Sequence, residues 1–171
     1  MKNIKFSRLF AAALVVACLA LTACKQAEEE KSYAIEGTWV SASEGWVEKW
    51  VISGSEVKNY GNDNLCYAGN SVDIKELTDT TGYIYFKYTR ALCYEHSDFN
   101  NYVYTYDEDA LDVGKWYALY YFNLTDKSVC ISGAAGEITS CDSLDEAKKT
   151  FTVENGYMSE EAKHYSECVK K

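Results

Sequence analysis

The sequence predicts a mainly β domain: eight short antiparallel strands in a sandwich or an up-and-down barrel, followed by one or two helices. Three observations predict it. Beyond Ile35, apolar and aromatic residues recur at a period near two in short windows, with glycine turn signals between them. The 171-residue chain holds 15 tyrosines, four tryptophans and six phenylalanines, which suit pleated, half-buried surfaces. It holds no proline, where average usage would give about eight.

The elements follow in order. Strands are expected near 36–43, 46–53 and 55–60, carrying Trp39, Val40, Trp46, Trp50, Val51, Ile52 and Val57 and punctuated by Gly45, Gly54 and Gly61. A longer pair is expected near 65–77 and 82–92, joined by a turn centred on Asp79-Thr80. Alternation places Ile84, Phe86 and Tyr88 on one face and Tyr83, Tyr85 and Lys87 on the other. Tyr102, Tyr104 and Tyr106 alternate with Val103 and Thr105 and predict a sixth strand. Trp116–Phe122 and Ser128–Ile131 complete the eight.

Ser143-Leu144-Asp145-Glu146 has capping-box form, and Leu144, Ala147 and Phe151 share a helical face. A second helix is expected from Ser159, with Ala162, Tyr165 and Val169 as its stripe and Lys170 and Lys171 at its end. Between the helices, Thr150 to Glu154 reads as a short strand running into an Asn155-Gly156 turn.

The N-terminus has a different pattern. Lys2, Lys5 and Arg8 precede an apolar run from Leu9 to Leu21, too short for a bilayer span, which needs about 20 residues. Leu21-Thr22-Ala23-Cys24 resembles the lipobox of bacterial lipoproteins. The resemblance implies cleavage before Cys24 and lipid on its sulfur, anchoring the protein to a membrane of the bacterial cell envelope, at its periplasmic face or outer surface. Residues 1–23 are then a signal peptide, 24–33 the lipidated N-terminus and a polar tether, and 34–171 the domain. Lys25 to Ser32 would reach at most about 28 Å, keeping the domain close to that membrane.

Gly37-Thr38-Trp39 resembles the Gly-x-Trp signature that opens the first strand of lipocalins. Eight strands followed by a helix match the plan of that family. The resemblance implies an antiparallel eight-stranded barrel, closed at one end by Trp39 and holding a small apolar ligand at the other. It also places a partner for the tryptophan on the last strand; Arg90, the one arginine beyond residue 23, does not lie there. Gly114 to Tyr121, Asn123-Leu124-Thr125 and Leu144 to Thr152 look like parts of small bacterial lipoproteins described as surface or periplasmic antigens.

Five cysteines follow Cys24: Cys66, Cys93, Cys130, Cys141 and Cys168. An exported domain meets an oxidising compartment. A turn centred on Asp79-Thr80 sets Cys66 opposite Cys93, within about 4.5–5.5 Å at Cβ and near bridging range. Cys130 and Cys141 flank the Gly133 to Gly136 loop and form the second expected bridge, with Cys141–Cys168 as its competitor. Cys168 is otherwise left over, as a buried thiol or a link between two copies.

Parts for catalysis are not evident. The sequence has no Gly-x-Ser-x-Gly elbow, no Ser-x-x-Lys and no glycine-rich phosphate loop. Cys93/His96 and His164/Cys168 have spacings a metal could use, but neither supplies three or four ligands. Asp107-Glu108-Asp109 reads as a solvated loop. The expectation is a non-catalytic protein with no cofactor and no metal.

Without the three basic residues of the first 23, 14 basic side chains face 26 acidic ones, a balance of −12. That field disfavours nucleic acid and favours a basic partner. Two functions remain. One is a lipid-anchored carrier of a small hydrophobic ligand, with Trp50, Ile84, Phe86, Val103, Leu119 and Tyr121 as candidate pocket residues. The other is a surface interaction module or antigen with a packed core, including an inhibitor of a basic host enzyme such as lysozyme.

Overall fold

Tight turns fold the first half of the domain into a meander. The computed structural model describes residues 32–171. The signal-like segment, Cys24 and nearly all of the tether lie outside those residues. β1 (Gly37–Ser43) and β2 (Trp46–Ile52) are joined by Glu44 and Gly45, with Gly45 at φ 76°. β3 (Glu56–Gly61) and β4 (Asn64–Thr78) are joined by Asn62 and Asp63, at φ 47° and 65°. Two successive positive φ angles give a two-residue turn the twist its strands need, and Asn and Asp tolerate them best after glycine. β5 (Thr81–Leu92) follows the Asp79-Thr80 turn, where the sequence places it.

The second half closes the ring. β5 also pairs with β7 (Trp116–Phe122), β7 with β8 (Ser128–Gly133), and β8 with β9 (Ser166–Lys170). β9 then pairs with β1 through Trp39–Lys170 and Val40–Val169. The result is a closed, lipocalin-like antiparallel barrel of eight strands, with the two-residue β6 (Tyr106–Asp107) added beside the end of β5. Closure leaves no open sheet edge on the ring.

One end of the barrel is packed solid. Trp39 is fully buried there with Ile35, Ile52, Val57, Ile84 and Leu119. Its indole Nε1 donates to Ile35 O at 2.7 Å, and Lys170 Nζ lies 4.9 Å from the ring centre. Trp39 is thus fully buried inside the barrel, and the last strand supplies a lysine over its ring.

The outside carries a second core. Tyr83, Tyr85, Ala118, Tyr120 and Phe122 point away from the barrel, yet all are buried. The helix α1 (Leu144–Thr150), Phe151 and Met158 cover them. Ser143 caps α1 by accepting from the Glu146 amide, and Ala147 and Phe151 are fully buried, as the sequence spacing predicts. Polar pins fasten this layer: the Val153 amide donates to Tyr83 Oη, Tyr120 Oη donates to Glu160, and Lys148 pairs with Asp73 at 3.0 Å.

Four expectations are corrected. The second helix is absent; residues 166–170 form β9, the strand that closes the ring. Its inward Ser166, Cys168 and Lys170 alternate with outward Glu167 and Val169, a period-two pattern hidden beneath a short helical stripe. Residues 150–154 end α1 and enter a turn rather than a strand, although Gly156 does make its turn at φ 76°. The expected strand over 102–106 is an irregular excursion with a single Asp98–Val103 bridge, and only Tyr106–Asp107 reach β5. Tyr102 takes φ 56° and is 79% exposed.

The fourth correction concerns the cysteines. All five in the described residues are free thiols. Bulges near Thr78, Asp73 and Gly69 slip the β4–β5 ladder, which ends at Ala68–Arg90. Cys93 instead leaves β5 and donates its amide to Thr105 O at 2.8 Å. Cys130 sits opposite Phe122 and Cys141 opposite Trp116, the two ends of β7. Six residues of strand span about 20 Å, far beyond disulfide reach. Cys168 faces the barrel interior and Cys141 the outer core, so they do not meet either.

Candidate binding site at the open end of the barrel

The alternation that buries Ile52 near the closed end also points Trp50 and Glu48 inward, one pleat and two pleats along β2. On β3, Asn59 stands opposite Trp50 and Gly61 opposite Glu48; on β4, Tyr67 stands opposite Asn59. Phe86 and Tyr117 pair across β5 and β7. These side chains do not fill the space between them. They surround a hollow of about 340 Å³ at the open end, with Ile131 as a further apolar wall and residues 163–166 along its rim. That volume lies within the usual range for small-molecule sites.

The walls are aromatic, the fittings polar. Phe86 and Tyr117 meet edge to face at 5.7 Å, and Tyr88 stacks on Tyr117 at 5.1 Å. Burial drives the Tyr67 and Tyr117 hydroxyls well above the usual tyrosine range, so both are neutral phenols at physiological pH. Tyr117 Oη donates to Ala134 O at 2.7 Å. Gly133 lets that phenol pass: a Cβ there would lie 2.7 Å from Tyr117 Oη. A smaller hollow of about 120 Å³ shares Tyr67 and Tyr117 and reaches toward Tyr88, Tyr94 and Asp112.

Glu48 is the charged group of the wall. Asn59 Nδ2 donates to its Oε1 at 3.1 Å, and Ser166 Oγ donates to its Oε2. Both donors are neutral. Among the described residues no basic side chain forms an ion pair with it. Lys163 and His164 also line the hollow, but both turn to Glu161, at 3.5 and 4.0 Å. Trp50 is 7% exposed, and its indole Nε1 is buried with no hydrogen-bond partner. An unpaired buried donor costs about 1–3 kcal/mol, so it marks a place built for something else. Arg90 Nε is a second such donor, although Arg90 Nη2 reaches Tyr106 O.

The sequence-predicted pocket residues separate cleanly. Trp50 and Phe86 line the hollow. Ile84, Leu119 and Tyr121 face the interior in the same buried cluster as Trp50 and Phe86, but do not line the hollow. Val103 lies 55% exposed on the excursion between β5 and β7, outside the barrel. Glu48, Asn59, Tyr67, Tyr117 and Ser166 are wall residues that sequence reasoning missed. The alternations Glu48/Trp50/Ile52 and Val57/Asn59/Gly61 carried the signal, since each puts a polar residue on an otherwise buried face.

Two other surfaces were candidates. A crevice of about 480 Å³ lies outside the barrel between β8 and residues 153–161, but no unpartnered buried group opens onto it. Neither His96 nor His164 joins a metal cluster; no group of three or more His, Cys, Asp or Glu converges among the described residues. No helix among the described residues is long and apolar enough to cross a membrane. Comparison with protein-family models finds no match for this chain, and comparison with curated proteins and with solved structures likewise finds no significant match.

Proposed function

We propose that the protein is a non-catalytic, lipid-anchored carrier that takes a small, ring-bearing ligand into the open end of its barrel. The observation that supports this reading most is the 340 Å³ hollow itself, walled by Trp50, Tyr67, Phe86 and Tyr117 in a barrel whose other end is solid. A domain that served only as a scaffold would gain stability by filling that space. The Leu21-Thr22-Ala23-Cys24 box and the short apolar run before it support the anchor and a position at the cell envelope.

Native mass spectrometry of protein extracted from its own membranes tests the carrier. The expected result is a co-purifying small molecule that Trp50→Ala releases. A bare barrel that also refuses added apolar probes refutes it. Labelled palmitate tests the anchor: incorporation that disappears in Cys24→Ala is expected, and processing that survives the substitution refutes it.

A second reading rests on the excursion between β5 and β7. Tyr94 stacks on Phe99 there and Tyr104 meets Phe99 edge to face, while Tyr102 and Leu111 stand 79% and 72% exposed. Such a patch suits a protein partner. Against the balance of −12 beyond residue 23 that partner would be basic.

A further inference from the structure

Glu48 is the one carboxylate among the residues lining the hollow, and no lining cation pairs with it. Glu48 presents two carboxylate oxygens, each accepting one hydrogen bond from a neutral donor, which leaves about two of its four lone-pair directions open. A carboxylate drawn out of bulk water gains most from a positive charge brought to it. Lys163 is the nearest rival among the lining residues, but it pairs with Glu161 and its side chain is 72% exposed. Around the carboxylate stand the rings of Trp50, Tyr67, Phe86 and Tyr117, whose faces attract cations. The buried, unpartnered Trp50 Nε1 calls for an oxygen acceptor beside that charge.

We propose that the hollow selects an organic ammonium: a protonated amine on a ring-bearing or apolar body, with Glu48 as its counter-charge and the four rings as its walls. This rests on the reading of the hollow as a ligand site. A hydroxyl or carbonyl close to the amine would accept from Trp50 Nε1. The surplus of acidic residues on the domain raises the local concentration of such a ligand.

Displacement of a neutral apolar fluorophore, N-phenyl-1-naphthylamine, from the purified full chain tests the charge preference. Three competitors of matched size carry the three charges: phenethylamine, 2-phenylethanol and phenylacetate. Phenethylamine is expected to displace the fluorophore at a concentration at least tenfold below 2-phenylethanol, and phenylacetate not to displace it. Glu48→Gln should bring amine and alcohol level while the fluorophore still binds. If the wild type binds the fluorophore but ranks amine no better than alcohol, the ammonium assignment fails and the ligand site stands. If the wild type does not take up the fluorophore, both fail. The three-way comparison on the wild type decides even where Glu48→Gln does not fold.

Discussion

Trp39 and Trp50 stand directly opposite each other on β1 and β2, and both point into the barrel. Trp39 is fully buried, its N–H bonded to Ile35 O and its ring covered by Lys170. Trp50, one strand away, is nearly as buried, yet its N–H meets nothing. The same residue type at paired positions thus meets two surroundings: Trp39 looks onto the packed core, Trp50 onto the hollow. On the floor every polar atom is answered and the core is solid. At the mouth the wall is left incomplete around a cavity, and the incompleteness is polar as well as steric. Packing and the candidate site are divided between these two tryptophans, so mutations at the two should separate stability from probe uptake.

The largest expected effect is at the floor. Trp39→Ala removes a buried indole and should cost about 3–5 kcal/mol in urea unfolding, a large part of the total stability of a domain this size. Trp50→Ala should cost clearly less, because part of its surface faces a void; equal losses would erase the division between the two ends.

High pH comes next. Burial pushes the Cys168 thiol up to about 12 and the Tyr121 hydroxyl up to about 12, and takes Tyr88 far above its ordinary value. Each raised value favours the folded state fully below the unfolded value, 9.0 for the thiol and 10.0 for tyrosine, and that contribution is lost as pH climbs toward 12. Alkaline unfolding followed by near-ultraviolet dichroism should begin above pH 9. The tyrosinate absorbance of the buried rings should appear together with it. Ionisation of those rings without loss of the dichroism signal would contradict the packed floor.

Smaller effects sharpen the contrast. Lys170→Ala uncovers the face of Trp39 and should cost about 0.5–2 kcal/mol. Trp50→Phe deletes the orphan donor and should leave unfolding within about 1 kcal/mol of the wild type, in either direction, while weakening probe binding. Val103→Ser, on the excursion, should change neither stability beyond about 0.5 kcal/mol nor probe uptake.

The legible part of the fold is the part where local and global signals agree. Hairpins joined by Glu44-Gly45 and Asp79-Thr80 announce themselves because turn chemistry and alternation coincide there. Trp39 is readable because a glycine and the start of a strand precede it. β9 was not readable, because the helical stripe of Ala162, Tyr165 and Val169 overlies the weak alternation of Ser166, Cys168 and Lys170. Only the need of β1 and β8 for a shared neighbour decides the matter, and that need is visible in three dimensions alone. Tyr102 to Tyr106 failed in the opposite sense: perfect alternation, but no strand beside most of it to receive its hydrogen bonds.

The candidate site was half legible. Aromatic Trp50 and Phe86 stand out by type, whereas Glu48 and Asn59 meet only through the register of β2 on β3, and Ser166 joins them from 118 residues along the chain. The two disulfides failed because extrapolating a ladder past its bulges moves every later pair, as Cys66 and Cys93 show.

The ring joins at Val40 and Val169, so its last seam unites segments from opposite ends of the domain. Contacts between such distant stretches are costly to form early, and folding should be slow and all-or-none rather than strand by strand. A proteolytic nick in the exposed turn before Ser166 would free β9 and bare the flanks of β1 and β8 together. Two such flanks, each able to recruit a strand from a neighbouring molecule, would turn a closed barrel into a seed for aggregation.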